Sequence, residues 1–264
     1  MSQSLRKTPP GISSRASLIE AYLKRIAYRG ETTPSATSLR ELHRAHLFSV
    51  PFENLDIALG REIICDEGSF LRKIVDQRRG GFCYEMNGAF AALLRAVGFK
   101  VTLLSARVPR EDGTEGPEFD HLTLYVDLGD PWLADVGFGD SFLDPLRLEM
   151  GPEQKQANGS FRIVEAGQSL HLDRMGRDGT WKRQYSFTLQ PRRLEEFAAM
   201  CRYHQTSLRS PFTQKRVCTI ATPDGRVTLS NGKLIVTRNG KREERMLNER
   251  QQRTVLKQRF GIVV

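Results

Sequence analysis

The stretch RRGGFCYEMN, residues 78–87, decides the fold of this sequence, because its double glycine leads into a helix that begins at a cysteine. Beyond Cys83, apolar residues recur at Met86, Phe90, Leu93, Leu94 and Val97. This spacing of roughly 3.6 residues predicts an amphipathic helix, with Gly98 as its C-terminal stop. A thiol in the first turn lies near unpaired backbone N–H groups and the positive end of the helix dipole. Both favour the thiolate, so the sequence predicts a lowered pKa for Cys83.

The two glycines before this cysteine predict an open approach to its sulfur. Gly80 and Gly81 can adopt backbone conformations closed to other residues, and neither has a Cβ that would obstruct a substrate. A lone cysteine is more often a small buried hydrophobic residue than a nucleophile. A catalytic reading therefore depends on partners, which a histidine and an aspartate further along the chain would supply.

The bulk composition predicts an ordinary globular protein. The chain has 264 residues, of which 39% are hydrophobic and 27% charged. It can therefore bury a sizeable core, in one large subdomain or about two or three small ones. It has no apolar run near the roughly 18 residues of a membrane helix. Residues 1–14 are polar and lack the apolar core of a signal peptide, so we expect a flexible tail there.

Cysteine usage and charge argue against several classes of function. Cys65, Cys83, Cys201 and Cys218 form no C-x-x-C pair, which gives no support to a structural zinc site or a thioredoxin-type motif. Four cysteines without a signal peptide predict a reducing, cytoplasmic location. The net charge is +9, but Lys and Arg are scattered among Asp and Glu rather than gathered in a basic arm. This excess predicts a solvated face that would also favour an anionic small molecule such as a phosphorylated cofactor.

The chain before Gly98 is predicted to be helical. Apolar spacing indicates helices at 17–28 and 69–77, in addition to the cysteine helix. Between them, Ser38 can cap a helix in a capping box with Glu41.

Beyond Gly98 the pattern changes to strands. Strands are predicted at 101–108, 119–127, 132–136, 161–164, 169–174, 181–189, 215–221, 226–229 and 233–238. A helix is predicted at 191–203, because the missing N–H of Pro191 costs nothing at a first helical position. A second helix, at 249–259, closes the chain.

The turn after the second of these strands determines whether a histidine and an aspartate can meet. With a three-residue loop, Asp127 pairs with Pro131, and paired residue numbers sum to 258. His121 and Asp135 are then diagonal neighbours on one face, about 7–8 Å apart and within side-chain reach. A two-residue loop would place them on opposite faces. The sequence leaves both registers open.

Cys83, His121 and Asp135 have the types and order of a nucleophile, a general base and a group that orients the base. The aspartate would accept a hydrogen bond from one imidazole nitrogen and leave the other nitrogen to face the thiol. We expect a thiolate–imidazolium pair from this arrangement. Two other histidines, His43 and His46, are interpreted as surface or interhelix residues, because no cluster of metal-binding residues lies near them.

Four motifs, in this order along the chain, resemble those of the arylamine N-acetyltransferases. They are VPFENL at 50–55, RGGFCYEMN at 79–87, FDHL at 119–122 and DVGFG at 135–139. The resemblance covers nearly the whole chain. The short region after Phe138 resembles the bacterial members rather than the vertebrate enzymes, which carry an insertion there.

The resemblance implies an α+β fold with an N-terminal helical bundle, a central β-barrel and a C-terminal α/β lid around a cysteine-protease-like catalytic core. It divides the chain into a tail at 1–14, a helical domain carrying the nucleophile at 15–98 and a β-barrel domain carrying the histidine and aspartate at 99–190. An interdomain helix at 191–205 and the lid at 206–264 follow.

The resemblance also implies an activity. Acetyl-coenzyme A would acylate Cys83, and the acetyl group would pass to an arylamine or arylhydrazine in a ping-pong scheme, with His121 as base and Asp135 as the orienting acid. The family's substrate and coenzyme A contacts map onto Phe52, Phe138 and Phe212 for the aromatic pocket and onto Thr222 and Gly225 for the lid. Neither a metal nor a tightly bound cofactor is implied, because acetyl-coenzyme A is a substrate. We expect no nucleic-acid or membrane partner, and a monomer or homodimer.

Two other functions remain open at this point. A papain-like or transglutaminase-like enzyme would use the same triad for hydrolysis or amide transfer on peptides, and it would release peptide fragments. A basic nucleic-acid-binding protein with a structural Cys83 would show salt-dependent retention on DNA and an unreactive thiol. The lack of a basic cluster argues against the second alternative.

Overall fold

The helices lie mostly in the first third of the chain in a computed structural model that describes residues 15–110 and 112–263. The predicted tail, 1–14, lies outside the described residues. The helices are α1 Arg15–Arg25, α2 Ala36–Ser49, α3 Leu55–Ala58, α4 Glu67–Leu71, α5 Cys83–Ala96, α6 Ala198–Thr206, α7 Pro211–Gln214 and α8 Glu249–Phe260. A π-helical turn at Arg72–Asp76 extends α4, and a 3₁₀ turn at Leu194–Phe197 leads into α6.

The strands form two antiparallel sheets. They are β1 Phe52–Glu53, β2 Lys100–Arg107, β3 His121–Asp127, β4 Pro131–Ala134, β5 Leu146–Arg147, β6 Gln154–Gln156, β7 Gly159–Ala166, β8 Ser169–Met175, β9 Trp181–Phe187, β10 Val217–Thr222, β11 Gly225–Ser230, β12 Lys233–Arg238 and β13 Lys241–Met246. One sheet has the order β5-β4-β3-β2-β9-β8-β7-β6, and the other has the order β1-β10-β11-β12-β13. The second sheet therefore takes its first strand from the N-terminal third of the chain.

The eight-stranded sheet is a nearly closed barrel. Its two edge strands, β5 and β6, are joined by the side-chain amide of Gln154, which bonds to both the N–H and the carbonyl of Arg147 at 2.9 and 2.8 Å. With the N-terminal helices and the C-terminal sheet and helix α8, this barrel confirms the predicted α+β fold of bundle, barrel and lid. The domain boundaries given above stay predictions.

The β3–β4 hairpin has the three-residue loop. Asp127 pairs with Pro131, and Leu124 pairs with Ala134, so every pair in this ladder sums to 258. The strand β4 ends at Ala134, two residues before the predicted end at 136. Asp135 is therefore the first residue beyond the ladder, on the side of the hairpin where β3 begins.

Helix α5 is the centre of the largest core. Every residue of α5 except Arg95 is buried, so the helix is enclosed on all sides. The apolar spacing had predicted an amphipathic helix, and that prediction is wrong. Small residues such as Ala91 and Ala92 allow neighbours to approach the face that the pattern left unassigned. This burial fixes the position of the N-terminal turn, where Cys83 lies.

Two predicted helix starts are wrong. The cap of α2 is Ser35, whose hydroxyl accepts from the N–H of Ser38 at 3.1 Å, and Ser38 is the reciprocal member of the box instead of Glu41. The helical segment predicted to start at Pro191 starts at Leu194, because the preceding backbone pairs with the barrel through the N–H of Arg192. In both cases the predicted residue carries a signal for a helix start, but a start a few residues away leaves the backbone N–H groups with better hydrogen-bond partners.

Candidate active site

The loop before α5 is held by close backbone packing. The carbonyl of Gly81 accepts from the N–H of Glu53 at 2.9 Å. A Cβ on Gly80 would lie 1.8 Å from the carbonyl oxygen of Pro51, and one on Gly81 would lie 2.6 Å from the Glu85 side chain. Both glycines have φ outside the left-handed region, so the predicted reason for them is wrong. They are needed because the protein itself fills the space beside them.

A charged cluster lies behind this loop, formed by the buried residues Glu53, Asp56, Lys73, Arg79 and Glu85. The ammonium of Lys73 lies 2.7 Å from Glu85 and 2.8 Å from Asp56. The guanidinium of Arg79 lies 2.7 Å from Glu53 and 3.0 Å from Asp56. Glu85 also accepts from the N–H of Phe82 at 3.1 Å. The cluster therefore fixes the residue that precedes Cys83.

The charges of this cluster do not balance, because three carboxyl groups face two cations. Burial raises the pKa of Glu85 to about 7, with Lys73 opposing and Glu53 reinforcing that increase. Burial also acts to raise the pKa of Asp56, but Lys73 and Arg79 outweigh it and the pKa is lowered. Glu85 is thus the carboxyl group whose charge is least compensated.

His121 and Asp135 form a buried hydrogen-bonded pair. Nε2 of His121 lies 2.7 Å from Oδ2 of Asp135, and both side chains are almost fully buried. Burial acts to raise the pKa of Asp135, but His121 and hydrogen bonds from Asn87 and Gly137 outweigh it and lower the pKa. An ionised Asp135 accepts the Nε2–H of the imidazole, which leaves Nδ1 as the nitrogen that can take a proton.

Asn87 of α5 connects this pair to the helix that begins at Cys83. Its amide nitrogen donates to Oδ1 of Asp135 at 2.8 Å and to the carbonyl of Leu122 at 2.6 Å. Its amide oxygen accepts from the N–H of Val136 at 2.9 Å. One side chain four residues after Cys83 therefore fixes β3 and the segment after β4 against α5.

The two histidines of α2 are fully buried, so of the two interpretations given above the surface one is wrong and the interhelix one remains. Nδ1 of His43 lies 2.8 Å from the carbonyl of Leu143, and its Nε2 accepts from the N–H of Asp135 at 3.2 Å. His46 lies between helices, with its Nδ1 3.1 Å from the hydroxyl of Tyr22. Burial lowers the pKa of both imidazoles. His43 thus supports Asp135 as a neutral side chain.

The thiol of Cys83 is almost fully buried at the start of α5. Burial raises its pKa well above the ordinary value, and the carboxylates of Asp120 and Asp135 act in the same direction. Hydrogen bonds with the backbone at Leu122 and Tyr84 lower it, but they do not offset burial. The predicted lowering of the thiol pKa by the helix terminus alone is therefore wrong, and a thiolate here requires a base.

A cavity of about 580 Å³ reaches Cys83 and His121. We call it the first cavity. Phe52, Phe138 and Phe212, the three predicted pocket aromatics, all line it. The ring of Phe138 meets the ring of His121 edge-on, with centroids 5.3 Å apart, and the rings of Phe52 and Phe212 lie 6.2 Å apart. The structure therefore brings the three aromatics and the cysteine–histidine pair to one space.

A second cavity, of about 920 Å³, adjoins the first and shares Val108, Pro109 and Phe138 with it. Its wall is rich in cations, namely Arg174, Arg177, Lys182, Arg183, Arg226 and Arg242. Asp140 is the one acidic residue among those of the described chain that line it. The second cavity is therefore suited to an anionic ligand.

The two residues expected to contact coenzyme A differ in position. Gly225 lines the second cavity, where a Cβ would lie 2.0 Å from the carbonyl oxygen of Thr237. Thr222 is not among the described residues that line either cavity, and its hydroxyl donates to Asp224 at 2.8 Å. The strand pairing of Thr222 with Gly225 explains this result, because the hydroxyl is used within the turn itself.

Comparison with known proteins identifies the family. A family model for N-acetyltransferase matches residues 35–264. A pineal gland arylamine N-acetyltransferase of Gallus gallus is 34% identical over 93% of this chain and 94% of its own length. This chain belongs to the arylamine N-acetyltransferase family. The family member from Mycolicibacterium smegmatis is 35% identical over 91% of this chain and 90% of its own.

Solved structures support the same assignment. The arylamine N-acetyltransferase of Mycobacterium marinum, solved in complex with CoA, superposes with a TM-score of 0.86 at 32% identity and covers 92% of both chains. The chain is accordingly an enzyme of the acyltransferase type. Among residues 15–110 and 112–263, no helix combines the length and apolar character needed to cross a membrane.

Sequence reasoning missed several residues that shape the site of this arylamine N-acetyltransferase. Asn87 was quoted in a motif, but its contacts were not foreseen. Tyr185 on β9 packs its ring 5.1 Å from that of His121. A Cβ on Gly137 would lie 2.9 Å from Cα of Cys83, so this glycine allows the segment after β4 to touch α5. The DVGFG motif could have indicated the role of Gly137, because this glycine follows Asp135 by two residues.

Proposed function

We propose that this enzyme transfers the acetyl group of acetyl-coenzyme A to the nitrogen of an arylamine or arylhydrazine through an acetyl-Cys83 intermediate. Membership of the arylamine N-acetyltransferase family supports acetyl transfer to arylamines. The observation that carries the ping-pong scheme is the first cavity, where Cys83 and His121 share one space and Asp135 bonds to the imidazole.

In the first half-reaction, His121 acts as the base for Cys83. Because burial raises the pKa of the thiol, the thiolate forms only when Nδ1 of His121 takes the proton. The thiolate then attacks the acetyl carbonyl, and the departing coenzyme A thiolate receives that proton from His121. Asp135 orients the imidazole and stabilises its protonated form, which is the role that its hydrogen bond fits.

In the second half-reaction, the amine nitrogen attacks the acetyl thioester on Cys83. An arylamine is weakly basic and is unprotonated near neutral pH, so its lone pair is available. His121 accepts the N–H proton and returns it to the departing sulfur of Cys83. The aromatic walls at Phe52, Phe138 and Phe212 orient the substrate ring, and a good ring contact is worth about 1 kcal/mol beyond burial.

The phosphates of coenzyme A would lie in the second cavity. Its wall of arginines and lysine complements their negative charge, and it joins the first cavity beside Phe138. The pantetheine arm would then pass Phe138 to reach Cys83. Binding of CoA to the Mycobacterium marinum relative supports this class of ligand. Gly225 lines this route, whereas Thr222 does not.

Intact-protein mass spectrometry tests the intermediate. After incubation with acetyl-coenzyme A, the protein should gain the mass of one acetyl group, and an arylamine should remove it. The Cys83→Ser variant is the control. It should not gain an acetyl group that an arylamine can remove. Lack of acetylation in the wild-type protein would refute the proposed function.

Two further assays separate the alternatives. Release of fragments from a peptide substrate, without acetylation of Cys83, would favour hydrolysis. Salt-dependent retention on DNA with an unreactive thiol would favour a binding protein. The cytoplasmic location and the monomer or homodimer stay predictions.

A further inference from the structure

A second histidine–carboxylate pair faces the first cavity. Nε2 of His204 on α6 lies 3.1 Å from Oδ1 of Asp120, and both residues line the cavity with Cys83 and His121. The side chain of His204 is 4% exposed and that of Asp120 is 17% exposed, so the carboxylate is the more accessible group. The mechanism above uses neither residue.

The hydrogen bonds of Ser210 determine how His204 is oriented. The hydroxyl oxygen of Ser210 accepts from the N–H of Phe212 at 3.2 Å, and it lies 3.1 Å from Nδ1 of His204. The hydroxyl can therefore donate its proton to Nδ1, which leaves the hydrogen of His204 on Nε2. Nε2 lies 3.1 Å from Oδ1 of Asp120 but outside hydrogen-bond geometry, so His204 contacts one oxygen of the carboxylate through close polar packing.

The second oxygen of Asp120 is free for a ligand. Oδ2 has no hydrogen-bond partner within the part of the chain that the structure describes. It lies beside Gly116, where an added Cβ would come within 2.9 Å of it. The other charged residues that line the first cavity, Arg110 and Arg209, are exposed and form no ion pair with Asp120 within the described ranges.

The turn that carries Asp120 is built to hold a fixed position. Phe119 has a φ of 65°, in the left-handed region that a phenylalanine rarely adopts. The hydroxyl of the buried Tyr84 donates to its carbonyl at 2.7 Å, and the hydroxyl of Ser105 accepts from its N–H at 2.7 Å. Because these bonds fix Phe119, the next two residues, Asp120 and His121, have a defined direction into the cavity.

We propose that Asp120 accepts a hydrogen bond from the N–H of the acceptor amine and holds its lone pair toward the acetyl group on Cys83, while His204 positions the carboxylate. This inference rests on the proposed function, since it names the group that recognises the second substrate. It assigns to Asp120 the selection of acceptors that carry an N–H, and to His204 a positioning role.

The charge that develops during aminolysis favours this assignment. As the amine nitrogen bonds to the thioester carbon, it gains positive charge, and one of its N–H protons passes to His121. A carboxylate hydrogen-bonded to another N–H of the same nitrogen stabilises that charge in the transition state. Asp120 keeps no proton at the end, so the proton balance of the reaction is unchanged.

The same carboxylate should oppose the first half-reaction. Burial is the main cause of the raised pKa of Cys83, and the negative charge of Asp120 adds to it, so removal of that charge favours the thiolate. Asp120 therefore has opposite effects on the two steps. A purely structural role would impair both steps in parallel.

The test is Asp120→Asn, which keeps the shape and an oxygen for His204 but removes the charge. Stopped-flow acetylation of Cys83 by acetyl-coenzyme A should be faster, because the charge that opposes the thiolate is removed. Discharge of the acetyl enzyme by an arylamine should slow roughly tenfold to a hundredfold, the range for a lost hydrogen bond to a charged group. Discharge by a small thiol, which attacks as a thiolate without an N–H, should not slow.

His204 supplies the matched variants. His204→Gln can keep a polar contact with Asp120 and should discharge to the amine faster than His204→Leu, with melting curves recorded for both. If acetylated Asp120→Asn discharges to arylamine as fast as wild type, or loses amine and thiol discharge equally, the assignment of Asp120 is wrong. If wild-type Cys83 is not acetylated at all, the proposed function fails instead.

Discussion

Two polar clusters meet at the start of α5, and they differ in charge and in origin. The charged cluster of Glu53, Asp56, Lys73, Arg79 and Glu85 consists of ion pairs, all drawn from residues 53–85.

The second cluster contains two of the residues proposed for catalysis, and we call it the catalytic network. It comprises Asn87, His121, Asp135 and the neutral His43. It has a single carboxylate, and its members come from α5, β3, the segment after β4 and α2. One cluster is therefore nearly local in sequence, and the other is not.

The difference indicates that the charged cluster serves the stability of this enzyme and the catalytic network serves its chemistry. Buried ion pairs stabilise only while every partner is present, because a lone buried charge is strongly unfavourable. The charged cluster therefore acts as a rigid support for the loop before Cys83. The catalytic network contains one nitrogen that can take up and release a proton, Nδ1 of His121, and a carboxylate, Asp135, that stays ionised. We expect mutations to separate the two functions.

The largest expected effect lies in the catalytic network. Asp135→Asn removes the charge that stabilises protonated His121, and it should reduce acetyl transfer roughly 10³- to 10⁴-fold. His121→Ala should likewise slow iodoacetamide alkylation of Cys83 near pH 6. Asp173→Asn, at another buried carboxylate that pairs with Arg162, is the control and should keep its activity. Unchanged alkylation in both site variants would contradict the pairing of His121 with the thiol.

The next effect concerns the charged cluster. Lys73→Met leaves Glu85 buried without its cation and removes one of the cations that contact Asp56, so it should lower the free energy of unfolding by about 3–5 kcal/mol. Lys100→Met breaks an exposed pair with Asp127, whose nitrogen–oxygen distance is 3.8 Å, and should cost less than about 1 kcal/mol. Urea titration measures both. A Lys73→Met protein with wild-type stability but no activity would show that the two clusters are not separate in function.

The third effect concerns the aromatic residues that line the first cavity. Phe138→Ala should raise the KM for an arylamine more than it slows acetylation of Cys83, because the ring orients the second substrate whereas the pantetheine arm only passes it. Phe52→Ala should do the same. Phe142→Ala, in the core beside His43, should instead lower stability by about 3–5 kcal/mol and depress both half-reactions. If Phe138→Ala melts early and fails at both steps, Phe138 is a core residue.

The smallest expected effect is a pH dependence of stability. Burial lowers the pKa of His43 and His46, so below about pH 6.5 the unfolded chain takes up protons that the native protein does not. The free energy of unfolding should therefore decrease as the pH is lowered below that value, by up to about 1.4 kcal/mol per pH unit for each histidine. His46→Asn should reduce this slope in urea titrations at pH 5 and 7. An equal slope in wild type and variant would show that His46 is protonated in the native state.

The sequence predicted some elements well because their signals are local. The hairpin turn at 128–130 was predicted, whereas its register was left open, and the structure has the register of the three-residue loop. The start of α5 at Cys83 followed from the glycines and the apolar spacing. The cap at Ser38 was wrong because Ser35, three residues earlier, carries the same local signal, and the start at Pro191 was wrong because the backbone of Arg192 pairs with the barrel.

The site was predictable in its chemistry but not in its environment. The types and order of Cys83, His121 and Asp135 can be read from the sequence, and in the structure His121 and Asp135 form a hydrogen bond. The sign of the thiol pKa shift was wrong, since the helix terminus is a local feature whereas burial depends on how the whole protein closes around the sulfur.

By itself, the sequence determined the α5 start, the position of the hairpin turn and the motifs that mark the family, because each depends on residues within about ten positions of one another. Only the tertiary structure decided that His43 supports Asp135 across 92 residues, and that His204 meets Asp120 in the first cavity. Long-range pairs of this kind have no periodic signature, since they arise where separately folded segments pack. The physical reason is that hydrogen bonding and desolvation are set by three-dimensional neighbours, which a linear pattern does not specify.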